Sequence, residues 1–179
     1  MSAYFKENKG LCVWFTGLPC AGKTTISKRL YEVLVRENFK VRLFDGDEVR
    51  KTISKDLGFS REDRRENVLR VAKIAKDLVD QGYIVICALV SPYRKDREEV
   101  RKMFEEGEFM EVFVDTSIEV CEKRDTRGLY KKARLGLIKN FTGIDDPYEV
   151  PDKPDVHLKT EKESIEECVD RVLRRIIQK

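Results

Sequence analysis

The chain has 179 residues, of which 41% are hydrophobic and 39% charged. That length fits one domain with a sizeable core, and a charged fraction well above the usual ~25% describes a soluble protein with a heavily charged surface. Lys and Arg total 36 against 33 Asp and Glu, a net charge of +3, which gives the whole molecule no electrostatic reason to bind nucleic acid or membrane.

The N-terminal MSAYFKENKG carries no apolar core of signal-peptide length, and no apolar run approaches the roughly 18 residues of a membrane span. A cytoplasmic protein is expected. Leu11 to Thr16 reads as a buried strand, followed by a Gly-containing turn and a helix with Ile26, Leu30, Val33 and Leu34 on one face. Val41 to Asp45 is a second strand. A long helix follows, with Ser60 as its cap, Val68, Val71, Ala75, Leu78 and Val79 as its apolar stripe, and Gly82 at its end. Ile84 to Val90 is the most hydrophobic run and is expected as a central strand. Ser91-Pro92 is expected to open the next helix, with Pro at its favoured first position. Glu111 to Val114 reads as a fourth strand, and Thr116 with Glu119 resembles a capping box. From Arg127 to Pro154 there is no clear strand. Val156 to Leu158 is a short fifth strand, and Ser164 with Glu167 opens a last helix packed through Ile165, Cys168, Val169, Val172 and Ile176. Strand and helix alternate throughout, which predicts an α/β fold with a parallel sheet covered on both faces. No repeat or linker divides residues 1–179.

The five cysteines, Cys12, Cys20, Cys87, Cys121 and Cys168, form no CxxC pair. Neither a zinc site nor a disulfide framework is expected.

Residues Gly17 to Thr24, GLPCAGKT, match the G-x-x-x-x-G-K-[ST] pattern between a buried strand and a helix, where its mechanism requires it. Glycines let successive N–H groups face an anion, and the helix N-terminus adds partial positive charge. Lys23 is expected on the β- and γ-phosphates of ATP and the Thr24 hydroxyl on Mg²⁺. Cys20 lies within this loop, where amide dipoles would lower its thiol pKa. It reads as a tolerated small side chain, with an oxidation-sensitive thiol as the alternative.

The loop names a phosphate donor and leaves the acceptor open. Asp45-Gly46-Asp47 follows the second strand, at the carboxyl edge where α/β proteins bind ligands. A carboxylate there can order metal-bound water or accept a proton from a hydroxyl, and an ordinary Asp-Gly turn is the competing reading. Arg50, Arg64, Arg65 and Arg70 offer guanidinium forks for sulfate or phosphate, unless they are simply a solvated face. Arg64 and Asn67 are three apart, hence on one side of the helix. Between Lys123 and Lys139 seven basic residues stand against one acid, Asp125. Such a segment suits a lid over polyphosphate, and it lacks the interleaved aromatics of a nucleic-acid arm.

Together these stretches closely resemble adenylylsulfate kinases: GLPCAGKTT at Gly17, DGDEVR at Asp45, KDLGFSREDRRENVLRV at Lys55, VSPYRKDR at Val90, CEKRDTRGLYKKAR at Cys121 and NFTGIDDPYEVP at Asn140. The resemblance covers nearly the whole chain. It implies a P-loop nucleoside-triphosphate hydrolase-like fold with a mostly parallel five-stranded sheet, a phosphate loop at 17–25 and a lid at 123–154. It also implies transfer of the ATP γ-phosphate to the 3′-hydroxyl of adenosine 5′-phosphosulfate. Asp47 and Lys23 would be catalytic. Gly17, Ala21, Gly22, Lys23, Thr24, Thr25 and Arg124 would hold ATP, and Thr24 with Asp45 the Mg²⁺. Asp47, Arg50, Phe59, Arg64, Asn67, Val90, Ser91, Arg127 and Phe141 would hold the sulfonucleotide, with Phe59 and Phe141 sandwiching its adenine. For both aromatics core packing is the alternative. Ser91 aligns with a serine phosphorylated in some relatives, although a helix-capping role suffices for it. His157, the single histidine, is too isolated for a base. The family implies a homodimer, and association or fusion with ATP sulfurylase is an open possibility.

Departures from the family pattern are Pro19-Cys20 for a usual Ser-Gly, Lys51-Thr52-Ile53 for His-Gly-Leu, Arg127 for Lys and Leu137 for Glu. None removes a group the chemistry needs. The rival readings are another small-molecule P-loop kinase and a non-catalytic sulfonucleotide-sensing domain associated with ATP sulfurylase. The intact Gly22, Lys23, Thr24 and Asp47 stand against the latter, and no Asn-Lys-x-Asp guanine motif supports a GTPase.

Overall fold

The structure, a computed structural model, describes residues 10–178; most of the N-terminal stretch examined for a signal peptide lies outside the described residues. In chain order the elements are β1 (Leu11–Thr16), α1 (Lys23–Arg36), β2 (Val41–Asp45), α2 (Gly46–Lys51), α3 (Arg61–Val79), β3 (Ile84–Ala88), α4 (Arg94–Arg101), β4 (Phe109–Asp115), α5 (Ile118–Arg124), α6 (Leu129–Arg134), β5 (Val156–Lys159) and α7 (Ile165–Ile177). The strands form one sheet in the order β2-β3-β1-β4-β5, and every pairing is parallel. The middle strand is β1, and the very hydrophobic β3 is, as expected, a central strand, paired with β1 and β2 on its two sides and buried throughout.

Why β1 reads as an unbroken apolar run is clear from its two faces. Leu11, Val13 and Phe15 pack with Ile26, Leu30 and Leu34 of α1 and with Val169, Val172 and Ile176 of α7. Cys12 and Trp14 face the other way, onto Val68, Val71 and Ala75 of α3 and Val100 of α4. A strand covered on both sides needs apolar residues at every position, and each large side chain so buried contributes about 1.5–3 kcal/mol.

The helix starts divide by whether a distant partner intervenes. Ser60 caps α3 by accepting from the Asp63 amide, and Ser164 with Glu167 forms a complete capping box on α7. The Ser91-Pro92 start is not observed. Helix α4 begins at Arg94 with Tyr93 as its cap residue. The Ser91 hydroxyl accepts from the Trp14 indole at 3.1 Å, and its backbone is left-handed at φ 40°. Nor do Thr116 and Glu119 cap α5, whose cap residue is Ser117. The Thr116 hydroxyl instead donates to the Ala21 carbonyl at 2.9 Å, across the phosphate loop. The 127–154 stretch is strand-free but holds the short helix α6.

Because all strands run parallel, the carboxyl ends of β1, β2, β3 and β4 open on one edge of the sheet, where the loops they feed converge.

Candidate active site

Helix α1 starts directly from the 17–24 loop. A side chain at Gly17 would bring its Cβ within 2.6 Å of the Val114 carbonyl oxygen, so only glycine fits there. Gly22, at φ 112°, turns the chain into α1. Lys23 is 8% exposed, and its Nζ donates to the carbonyls of Gly17 at 2.9 Å and Leu18 at 2.7 Å. Burial outweighs the neighbouring Cys121, Cys20, Asp45 and Asp47 and lowers its pKa to about 8. Cys20 behaves opposite to the dipole expectation: burial, then the Asp125 carboxylate, push its thiol pKa up. It also holds a left-handed φ of 63°.

The Asp45-Gly46-Asp47 turn is more than a turn. Asp45 caps α2 by accepting from the Asp47 amide at 3.1 Å, and its other oxygen accepts from the Thr24 hydroxyl at 2.6 Å. Asp47, one step into α2, projects into solvent and meets Arg127 at 3.0 Å. Lys23, Thr24, Thr25, Asp47, Arg124 and Arg127 thus line one cleft of ≈ 710 Å³. Arg124 is held on its wall by the carbonyl of Ala21 at 3.3 Å and the hydroxyl of Thr160 at 2.9 Å. Helix α6 is tethered to the same loop, since Tyr130 donates to the Pro19 carbonyl at 2.8 Å.

A second cluster gathers Arg50, Phe59, Arg64 and Asn67. Phe59 is 56% exposed, with the Arg50 and Arg64 guanidinium carbons 4.7 and 5.5 Å from its ring centroid. Arg64 donates to the Phe59 carbonyl at 3.2 Å and to the Asn140 carbonyl, and Asp146 lies 3.5 Å from its Nε. Asn67, one turn along α3, is buried and its Oδ1 has no hydrogen-bond partner. A buried amide oxygen left unpaired costs about 1–3 kcal/mol. Phe141 is also next to this cluster through Asn140, but its ring is buried and packs edge-on against Tyr130 at 4.9 Å. Val90 and Ser91 lie at the end of β3, where the Thr16 hydroxyl donates to the Val90 carbonyl at 2.7 Å.

Two arginines of the basic run do not join either group. Arg65 pairs with Glu99 at 2.7 Å, and Arg70 with Asp56 and Glu66 at 2.7 and 2.8 Å. His157 pairs with Asp115 at 2.8 Å, away from both clusters. Thr116 and Thr160, which hydrogen-bond to each other and to Ala21, support the phosphate loop without any sequence signal; only the fold reveals that they meet. A second cleft of ≈ 680 Å³, between Leu18, Phe113 and Tyr148, is lined by none of the residues expected to hold ATP, Mg²⁺ or the sulfonucleotide.

A profile of the adenylylsulphate kinase family matches residues 9–159. The adenylyl-sulfate kinase of Synechococcus sp. (strain JA-3-3Ab) is 52% identical over 168 residues, covering 94% of each chain. That of Vibrio vulnificus (strain YJ016) is 49% identical over 174 residues, covering 97% of this chain and 84% of its own. Among solved structures, the Mycobacterium tuberculosis APS kinase CysC in complex with AMPPNP and APS superposes with a TM-score of 0.90 at 39% identity, covering 94% of this chain and 98% of that one. With a phosphate loop, an Asp-Gly-Asp turn and a basic segment on one sheet edge, and this likeness along nearly its whole length, the chain belongs to the adenylylsulphate kinase family.

Proposed function

We propose that the protein transfers the γ-phosphate of MgATP to the 3′-hydroxyl of adenosine 5′-phosphosulfate, giving 3′-phosphoadenosine 5′-phosphosulfate and ADP. The observation that carries this reading is the division of labour within Asp45-Gly46-Asp47. One carboxylate accepts a hydrogen bond from Thr24 on the donor side, while the other, two residues on, is exposed, lines the cleft with Lys23 and Thr24, and lies on α2 three residues before Arg50. ATP occupies the larger cleft, with its phosphates over the loop and its base beside Arg124. The sulfonucleotide occupies the second cluster, where Phe59 offers a stacking face and Arg50 and Arg64 cationic forks. Asn67 presents its unpaired oxygen to a donor on the substrate.

Thr24 and Asp45 fit Mg²⁺, because a hydroxyl and a carboxylate are the hard oxygen donors that this cation takes alongside substrate phosphates. Among the described residues no group of three or more His, Cys, Asp or Glu side chains gathers to hold a metal. Bound there, it would neutralise charge on the β- and γ-phosphates. The chain's own groups carry the rest. The Asp47 carboxylate accepts the proton of the 3′-hydroxyl as its oxygen bonds to the γ-phosphorus, and the bond to the β–γ bridging oxygen breaks to release ADP. Lys23 and the loop amides stabilise the charge that develops on the transferred group. Arg127, freed from Asp47, follows the polyphosphate, and the 123–154 lid excludes water. Phe141 meets the base if the lid segment turns its ring away from Tyr130.

We read the protein as a cytoplasmic enzyme of one domain, acting as a homodimer on a small molecule; among the described residues no helix is long and apolar enough to cross a membrane. The test is product identification by mass after incubation with MgATP and the sulfonucleotide. A 3′-phosphorylated product supports the assignment. Binding without product would favour a sensing domain, and lack of binding would remove the acceptor.

A further inference from the structure

The turn that carries Phe141 is built around the Phe141 carbonyl, which accepts from the amides of Ile144, Asp145 and Asp146. Asp145 closes it from the other side by accepting from the amides of Asn140 and Phe141 at 2.8 and 2.7 Å. Asp146 is left pointing out of this turn, into the protein. There both its oxygens accept from the Tyr93 hydroxyl, at 2.8 and 3.0 Å, and one lies 3.5 Å from the Arg64 Nε. Tyr93 is buried, and the Arg61 guanidinium sits 3.9 Å above its ring. Arg64 reaches in turn to the carbonyls of Phe59 and Asn140. Three separate segments, the start of α3, the turn before α4 and the 140–146 turn, therefore meet on one carboxylate.

We propose that Asp146 is a positioning residue for the sulfonucleotide site: anchored by Tyr93, it orients the Arg64 guanidinium and so fixes the Asn140–Phe141 segment against Phe59. This rests on the function proposed above. Arg64 loses hydration on burial, and a buried guanidinium needs a fixed counter-charge to keep one geometry. Asp146 supplies it from the same turn whose placement matters. Burial and the Asp146 carboxylate also push the Tyr93 pKa up, so the phenol remains a hydrogen-bond donor. None of Asp146, Tyr93 and Arg64 lines the cleft that holds Lys23, Thr24 and Arg124, so loss of their hydrogen bonds acts first on the sulfonucleotide side.

The test is steady-state kinetics of the full chain, varying adenosine 5′-phosphosulfate and MgATP independently, in Asp146→Asn and Tyr93→Phe. Losing a hydrogen bond to a charged group is expected to raise KM for the sulfonucleotide about tenfold, while KM for ATP stays within about twofold. Equal KM rises for both substrates would mean a merely structural role and overturn the proposal, as would an unchanged sulfonucleotide KM in both variants. If Asp146→Asn does not fold, Tyr93→Phe decides alone, since it removes one hydroxyl and keeps the ring under Arg61. Wild-type protein that leaves the sulfonucleotide unphosphorylated would instead remove the underlying function; wild-type turnover with no selective KM change removes only the positioning role.

Discussion

Lys23 makes the affinity for ATP fall as pH rises from 7 to 9. Its pKa is lowered to about 8 by burial, against an ordinary lysine value near 10.4. Only the ammonium form attracts a triphosphate. Its population falls from roughly nine-tenths at pH 7 to about one-tenth at pH 9, a ~tenfold loss of ATP affinity or ~1.4 kcal/mol. The contribution of Lys23 to stability runs the other way: over the same interval the unfolded chain keeps a proton on Lys23 that the folded chain sheds, which favours the fold by ~1.3 kcal/mol. The thiols oppose it. Burial pushes Cys121 and Cys168 up to about 11 and raises Cys12 and Cys20, so the unfolded chain, with ordinary thiol pKa values of about 8.5, sheds protons between pH 7 and 9 that the folded chain keeps. Net stability therefore does not isolate Lys23, whereas ATP affinity does. The assay is calorimetric titration with MgATP at pH 7, 8 and 9. Lys23→Arg should flatten the affinity profile, since a guanidinium stays charged throughout. ATP affinity that is flat to pH 9 in the wild type would refute the placement of this titration on Lys23.

Asp47→Asn is expected to lower kcat about a hundredfold or more with ATP affinity nearly unchanged, the scale of a lost general base; product formation within threefold of wild type would exclude that role. Phe59→Ala removes a ring that is 56% exposed, so unfolding free energy should move by only about 0.5 kcal/mol. KM for the sulfonucleotide should rise tenfold or more, as lost base stacking is worth about 1–3 kcal/mol. Glu111→Ala strips the buried Arg97 of the carboxylate that faces it at 3.0 Å. Arg97 keeps the carbonyls of Ser91 at 2.6 Å and Glu149 at 2.5 Å, which places the destabilisation at the lower end of the usual range, about 3 kcal/mol. Urea unfolding checks it, and a loss below about 1 kcal/mol would mean that the pair is not buried in solution.

What was legible in the sequence was local. Ser60 and Ser164 cap helices because each partner lies within three residues, and the 17–24 loop works through its own backbone. Reading failed where a partner sits far along the chain. Ser91 before Pro92 has the chemistry of a helix start, yet the indole of Trp14, 77 residues earlier, takes its hydroxyl. Thr116 looks like half of a capping box until Ala21, 95 residues away, is placed beside it. Arg50, Arg64, Arg65 and Arg70 are indistinguishable as a basic run. Glu99 and Asp56 remove two of them from consideration only once the chain is folded, whereas Glu66, four residues before Arg70 on α3, is a partner that spacing alone offers. The same rule explains why Asp146 carried no signal of its own. Its chemistry depends on Tyr93 and Arg64, which reach it from two other segments. A site assembled across segments hides its supports more thoroughly than its contact groups, because a support is defined by what it holds and the thing held is elsewhere in the chain.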